Sequence, residues 1–275
     1  VTDFTDQVGK IDLQGPAAGK ILAMLLDDPE AAFERLVYFS FKGHFSPAQG
    51  SVRLKDGTPI LLSRTGYTGE FGFELFMVPD RTASVWRQLI EAGGPLDLKV
   101  CGLAARDSLR GGAVLPLSHQ DIGHWPFIDH PWEFALPFND DKSGFTKSFL
   151  GDQALLAARG KAFTYPFVGN DLRKVSTADT ATVHAPEGAR IGEVLTCVTD
   201  MGIGRVDGRI VSIASPQAPA GFKPKGLCCG FIKVEKALST GEVVTIQDKR
   251  RKLKVSIVED VRPDRSARRP LKQML

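Results

Sequence analysis

The sequence predicts an α+β fold followed by a small antiparallel β-barrel, on three observations. The first 150 residues mix amphipathic helical stretches with short strands joined by hairpin-like turns. Beyond them, the β-rich runs 162–168, 190–198, 209–214, 226–232, 242–246 and 253–258 recur at the spacing of a small barrel. Between the first strands and the barrel lie two dense segments, Gly66-Tyr67-Thr68-Gly69-Glu70-Phe71-Gly72-Phe73-Glu74 and Gly102-Leu103-Ala104-Ala105-Arg106-Asp107-Ser108-Leu109-Arg110.

In chain order, Lys10-Ile11-Asp12-Leu13 reads as a strand running into Gln14-Gly15-Pro16. A helix is expected from Ala17, with Ile21, Leu22, Leu25 and Leu26 at helical spacing and Pro16 suited to its first turn. Asp27 to Glu30 hold a turn and the start of a short second helix. Strands are expected at 35–42, 51–55, 59–64 and 73–78, with Asp56-Gly57 as a turn between two of them. Ala83 to Ala92 is amphipathic, with Val85, Trp86, Leu89 and Ile90 on one face. Lys99-Val100 reads as a short strand before the helix that opens near Gly102. Asp152 to Arg159 forms a short helix ahead of the barrel, and the Pro-, Ala- and Gly-rich stretch 215–225 is an extended loop.

Composition bounds the function. At 275 residues the chain can bury a large core and is expected to divide into two domains. Hydrophobic residues at 43% and charged residues at 24% describe a globular protein, and a net charge of +3 is too small to argue for a nucleic-acid partner. No apolar run approaches a membrane span. The cysteines, Cys101, Cys197, Cys228 and Cys229, have no CxxC spacing, which favours a reducing, cytoplasmic setting.

The two dense segments carry the chemistry. Gly66, Gly69 and Gly72 allow a sharp re-entry into a strand on which Phe71, Phe73 and Leu75 alternate with Gly72, Glu74 and Phe76. A carboxylate at Glu74 on such a strand is costly unless something pairs with it. Arg106, Asp107 and Arg110 in the first turn of the following helix supply nearby charge. An acid and a base in one cleft is the means by which a polar, planar ligand is held. Other motifs are weak. His119, His124 and His130 recur near Asp121 and Asp129 without metal-ligand spacing, so no metal is expected. Gly202-Ile203-Gly204 lacks the third glycine of a dinucleotide site. The basic run Lys249-Arg250-Arg251-Lys252 reads as a solvated hairpin, or as a docking surface for an acidic carrier.

In order and spacing, Leu13-Gln14-Gly15-Pro16, Ser63-Arg64-Thr65-Gly66-Tyr67-Thr68-Gly69-Glu70 with Gly72 and Glu74, and Gly102 to Arg110 resemble the glycine-cleavage T-protein (aminomethyltransferase) family. Phe149-Leu150-Gly151-Asp152-Gln153-Ala154-Leu155 is similar to its inter-domain segment, and Ile191-Gly192-Glu193-Val194 to its barrel signature. The resemblance implies a folate-binding domain over 1–158, a β-barrel domain over 159–262 and an exposed tail over 263–275. It implies tetrahydrofolate as the one-carbon acceptor, a lipoylated carrier protein as partner, and Glu74, Tyr67 and Arg106 in the folate pocket. The fit is chemical as well: a pterin presents adjacent N–H donors, and an ionised carboxylate accepts both.

The family's catalytic aspartate belongs to a segment upstream of Val1. The folate-binding domain is therefore expected to be N-terminally incomplete, with the catalytic residue unassigned. The chain also departs from the family pattern. Phe71 replaces an acidic residue, Gly111-Gly112-Ala113-Val114 stands for Leu-Glu-Ala-Gly, and Ser118-His119 stands for Tyr-Gly. These changes leave open a folate-dependent demethylase of a small methyl donor, and the segment missing upstream leaves open a non-catalytic folate-binding assembly or regulatory module.

Overall fold

Alternating apolar residues build the first sheet. In β1 (Gly9–Gln14), Ile11 and Leu13 are buried while Lys10 and Asp12 face outward. β4 (Gly72–Met77) buries Phe73, Leu75 and Met77 in the same way, as the two-residue period of a strand requires. The pair is antiparallel, with Asp12 opposite Glu74 and Leu13 opposite Phe73. β3 (Leu61–Ser63) lies on the other side of β4, and β2 (Phe41–Gly43) completes the order β1-β4-β3-β2. The computed structural model describes residues 2–46 and 48–275.

Three helices cover this sheet's core. α1 (Ala18–Leu25) buries Ile21 and Leu22, and α3 (Pro79–Gly93) buries Val85 and Leu89. Between them in sequence, α2 (Pro29–Phe33) starts with a proline, and the Asp28 carboxylate accepts the Ala31 N–H at 2.9 Å. That cap satisfies a donor the helix itself leaves open. Each fully buried Leu, Ile or Phe here contributes about 1.5–3 kcal/mol of transfer free energy. The strand expected at 35–42 is reduced to β2. Arg35 and Phe39 adopt positive φ (57° and 63°), which interrupts extended backbone. The stretch 51–55 makes isolated bridges, Leu26 to Leu54 and Arg53 to Pro59, and Lys99-Val100 forms no strand.

A second compact unit spans 107–264, while residues 265–275 belong with the first unit, up to residue 106. The division falls inside α4 (Leu103–Gly112), whereas the sequence suggested a boundary at 158/159, just after α5 (Asp152–Ala157). The exposed tail expected at the C-terminus also takes a different course. Ser266 and Met274 are buried, and the Arg64 guanidinium donates to the carbonyls of Ala267 and Arg269. Arg64 gains acceptors there that its own loop does not offer.

The barrel of the second unit is closed and antiparallel throughout. Its strands are β5 (Phe163–Val168), β6 (Thr182–His184), β7 (Arg190–Asp200), β10 (Leu227–Val234), β11 (Val243–Gln247) and β12 (Lys252–Ile257), in the order β10-β5-β12-β11-β6-β7. Closure leaves no unpaired edge. Phe167, Val183, Ile232, Ile246 and Val255 fill the interior. At Gly230 a Cβ would overlap the Thr196 carbonyl, so only glycine lets β10 approach β7 this closely, and a register shift follows at Phe231/Ile232. The short strand β6 had no sequence signal of its own. Nor did β8 (Ile203–Val206), which among the described residues pairs only with β9 (Arg209–Ser212). Cys197, Cys228 and Cys229 are buried thiols, and Cys101 is exposed and free. Among the described residues no helix is long and apolar enough to cross a membrane.

Arg110 is a fully buried charge of this unit. Its guanidinium is fully buried and pairs with Asp121, itself inaccessible to solvent, while donating to Thr196 Oγ1 at 3.0 Å. Thr196 Oγ1 passes a hydrogen bond to Asp121 at 2.7 Å, and Leu117 N–H donates to the same carboxylate at 2.9 Å. Removing one partner strands the other charge in a low-dielectric interior. Asp121→Ala is therefore expected to lower unfolding free energy by about 3–5 kcal/mol in a urea melt. Asp107→Ala, which removes a half-exposed partner of the same arginine, should cost under about 1 kcal/mol. Equal losses for the two variants would show that burial does not set the strength of these pairs.

Candidate functional site

The Gly-rich loop is fastened before it reaches β4. Gln14, at the end of β1, donates through Nε2 to the carbonyls of Thr65 (3.2 Å) and Phe73 (3.1 Å), and its Oε1 accepts from Thr68 Oγ1 at 3.2 Å. Gly66 and Gly72 both lie against this side chain, and a Cβ at either would overlap it. One glutamine thus fixes both ends of the loop and aims the face of β4 that carries Glu74.

Glu74 is the polar centre of that face. Its carboxylate pairs with Lys10 and accepts from Thr65 Oγ1, and Asp12 stands opposite it on β1, 3.3 Å from the same lysine. Burial opposes ionisation of Glu74. The hydrogen bonds from Lys10 and Thr65 outweigh it and hold the carboxyl below its usual pKa. Asp12 goes the other way, pushed up mainly by burial and further by the neighbouring Glu74 charge. Two carboxyls of unequal acidity thus share one lysine, and Glu74 is the one that is ionised more readily. With two of its lone-pair directions used, the Glu74 carboxylate still has acceptor capacity for a ligand.

Tyr67 and Arg106 form a second, adjacent-in-kind arrangement. The Arg106 guanidinium lies over the Tyr67 ring with 4.8 Å to the centroid, a cation–π geometry. Arg106 is exposed at the start of α4, and Tyr67 is half-buried in the loop. The structure therefore brings Tyr67 and Arg106 together and sets Glu74 in a separate cluster with Lys10, Asp12 and Thr65. No ion pair joins Glu74 to Arg106 among the described residues.

Several neighbours were not foreseen. Arg64 is buried, lies 4.7 Å over the Phe71 ring, and reaches the C-terminal stretch. Glu70 and the Phe71 N–H both bond Ser266. Phe71 is completely buried, so an acidic side chain at that position would lie in the apolar core. Lys10 could have been found from sequence only by assuming the β1–β4 register. Gly111 and Gly112 also acquire a reason: a Cβ at the first would press on Val198, and one at the second would overlap the Asp200 carboxylate. The pair lets the C-terminal end of α4 approach Val198 and Asp200 on β7, where Arg262 bonds Asp200 at 3.0 Å. Ser118 and His119 bond each other at 2.8 Å on the surface. Among the described residues no group of three or more His, Cys, Asp or Glu side chains could hold a metal ion.

Comparison with known proteins bears on the whole chain. The GCVT N-terminal domain family matches residues 1–138. An aminomethyltransferase of Natranaerobius thermophilus is 34% identical over 255 residues, covering 92% of this chain and 60% of that protein. One from Bacillus cereus (strain G9842) is 36% identical over 155 residues, covering 56% of this chain and 39% of that protein. The crystal structure of glycine cleavage system aminomethyltransferase T from Bartonella henselae has the same fold, with a TM-score of 0.62 at 23% identity. That alignment covers 91% of this chain and 58% of that one. The chain spans less than two thirds of the length of each of these proteins. With the family match extending over half its residues, the chain belongs to the glycine-cleavage T-protein (aminomethyltransferase) family.

Proposed function

We propose that this protein takes part in one-carbon transfer to tetrahydrofolate, with Glu74 as the acceptor for the pterin donors. The observation that carries this reading is the Glu74 carboxylate held ionised by Lys10 and Thr65 on an otherwise apolar strand. A pterin edge offers a ring N–H and an exocyclic amino group side by side, which a fixed carboxylate accepts in parallel. Tyr67 supplies a flat face for a planar ligand, and Arg106 a planar fork for its carbonyl or carboxylate oxygens. Tetrahydrofolate brings the attacking nitrogen. The protein's own residues bind and orient it, so rate would come from positioning and electrostatics. The donor in the aminomethyltransferase reading is an aminomethyl group on the lipoyl arm of a carrier protein. The reaction transfers the methylene and releases ammonia. The folate-binding domain in this reading runs to residue 158, just beyond α5, with the barrel as its companion domain.

A second reading is favoured by Ser118 and His119, whose exposed mutual hydrogen bond replaces a tyrosine and a glycine. A demethylase acting on a small methyl donor would use a different substrate side and the same folate face.

Glu74→Gln puts an amide donor against pterin donors and is expected to weaken tetrahydrofolate binding by about 1.5–3 kcal/mol, roughly ten-fold or more. Titration calorimetry reads this directly, and equal affinity of the two proteins removes Glu74 from the site. Arg106→Lys should lower folate affinity while leaving the melting temperature nearly unchanged, because the side chain is exposed. A loss of stability with intact folate binding would make Arg106 a structural residue. The donor is tested by incubating protein and folate with aminomethylated lipoyl carrier, or with N-, O- or S-methyl compounds. Ammonia release with the carrier is the expected outcome, and turnover of a methyl compound alone selects the demethylase.

A further inference from the structure

The second compact unit contains a cavity of about 480 Å³ that the folate reading does not use. It opens between the segment 128–142, the end of α5, β5 and the chain leaving β12, and its volume falls within the range of small-molecule sites. The floor is apolar and aromatic: Phe163 and Tyr165 stand side by side on β5, their rings nearly parallel at 6.1 Å, with Pro166 and Ile257 buried beside them.

The rim is charged, and its charges are unevenly committed. Lys142 is neutralised by Glu133, with both carboxylate oxygens at 2.7 Å. Among the described residues Arg159 has no carboxylate partner. Its guanidinium lies 5.3 Å over the Phe138 ring and uses one donor on the Lys142 carbonyl. Among the described residues Glu259 has no cation partner, and its only hydrogen bond is a long one from Thr240 Oγ1 at 3.5 Å. A guanidinium and a carboxylate therefore line one cavity without neutralising each other, each with most of its hydrogen-bonding capacity unused. A simple anion would meet Glu259, and a simple cation would meet Arg159. A ligand bearing both charges satisfies both.

The wall includes a neutral histidine. His130 Nδ1 accepts the Trp132 N–H at 3.0 Å, which puts the ring proton on Nε2, a buried atom with no partner among the described residues. Burial pushes the His130 pKa down to about 4, so the ring is neutral near pH 7 and adds no charge to the rim.

We infer that this cavity is a binding site for a zwitterionic α-amino acid with an apolar side chain, its carboxylate on Arg159, its ammonium on Glu259 and its side chain on the Phe163–Tyr165 floor. The site requires neither folate nor a carrier protein, so it stands or falls apart from the proposed transfer reaction. Arg159 and Glu259 are both exposed, and neither belongs to the folate cluster.

The test is titration calorimetry of the full chain with phenylalanine, 3-phenylpropionate and phenethylamine. The latter two lack the amine and the carboxylate respectively. Phenylalanine should bind at least ten-fold more tightly than either analogue. Arg159→Gln should weaken phenylalanine ten-fold or more and leave phenethylamine unchanged. Glu259→Gln should weaken phenylalanine similarly and leave 3-phenylpropionate unchanged or improved. Three results would overturn the inference: no measurable heat with phenylalanine, leucine or tryptophan; 3-phenylpropionate binding as tightly as phenylalanine; or displacement of phenylalanine by tetrahydrofolate in competition.

Discussion

The second compact unit depends on the burial of one guanidinium. Arg110 leaves α4 into an interior where an unpaired charge would be prohibitive, and every group around it answers that constraint. Asp121 supplies the countercharge from the loop after α4, Thr196 bridges the two from β7, and Gln120 ties the same loop to β7 through the Leu195 carbonyl at 2.8 Å. One charge thereby joins a helix, a loop and a barrel strand. The closeness this needs explains Gly111 and Gly112, since side chains there would hold α4 off Val198 and Asp200. Arg110, which the sequence grouped with Arg106 and Asp107 as charge for the Glu74 cleft, is instead buried on Asp121.

The first unit handles its buried polarity differently. Charge on β4 is tolerated because the antiparallel register brings Lys10 within reach of Glu74, although it also sets a second carboxyl, Asp12, opposite. Here the pairing is half-exposed, so its worth to stability is modest, and its effect falls on the acidity of Glu74 instead. Two carboxyls compete for one lysine, and the hydrogen bonds of Lys10 and then Thr65 to Glu74 favour its ionisation. The consequence is a Glu74 carboxyl that ionises more readily than its Asp12 neighbour. The loop that carries Tyr67 is held by Gln14, so loop and strand are one rigid construction.

The sequence alone determined the family, the α+β character, the helices around Ile21 and Leu89, and most of the barrel strands, because each rests on local periodicity or on a run of specific residues. It also singled out Glu74, Tyr67 and Arg106. It missed β6 and β8, which are too short to show a period, and it overextended the strand at 35–42, where positive φ at Arg35 and Phe39 breaks the backbone. Only the tertiary structure decided which charges meet. That Glu74 belongs with Lys10 and Thr65, that Arg106 lies on Tyr67, that Arg110 is buried on Asp121, and that Arg64 reaches residues 267 and 269 are all contacts between positions far apart in the chain or turned by a loop. Periodicity reports which face of an element is apolar. Pairing across elements depends on register and approach distance, and those exist only once the strands and helices have packed.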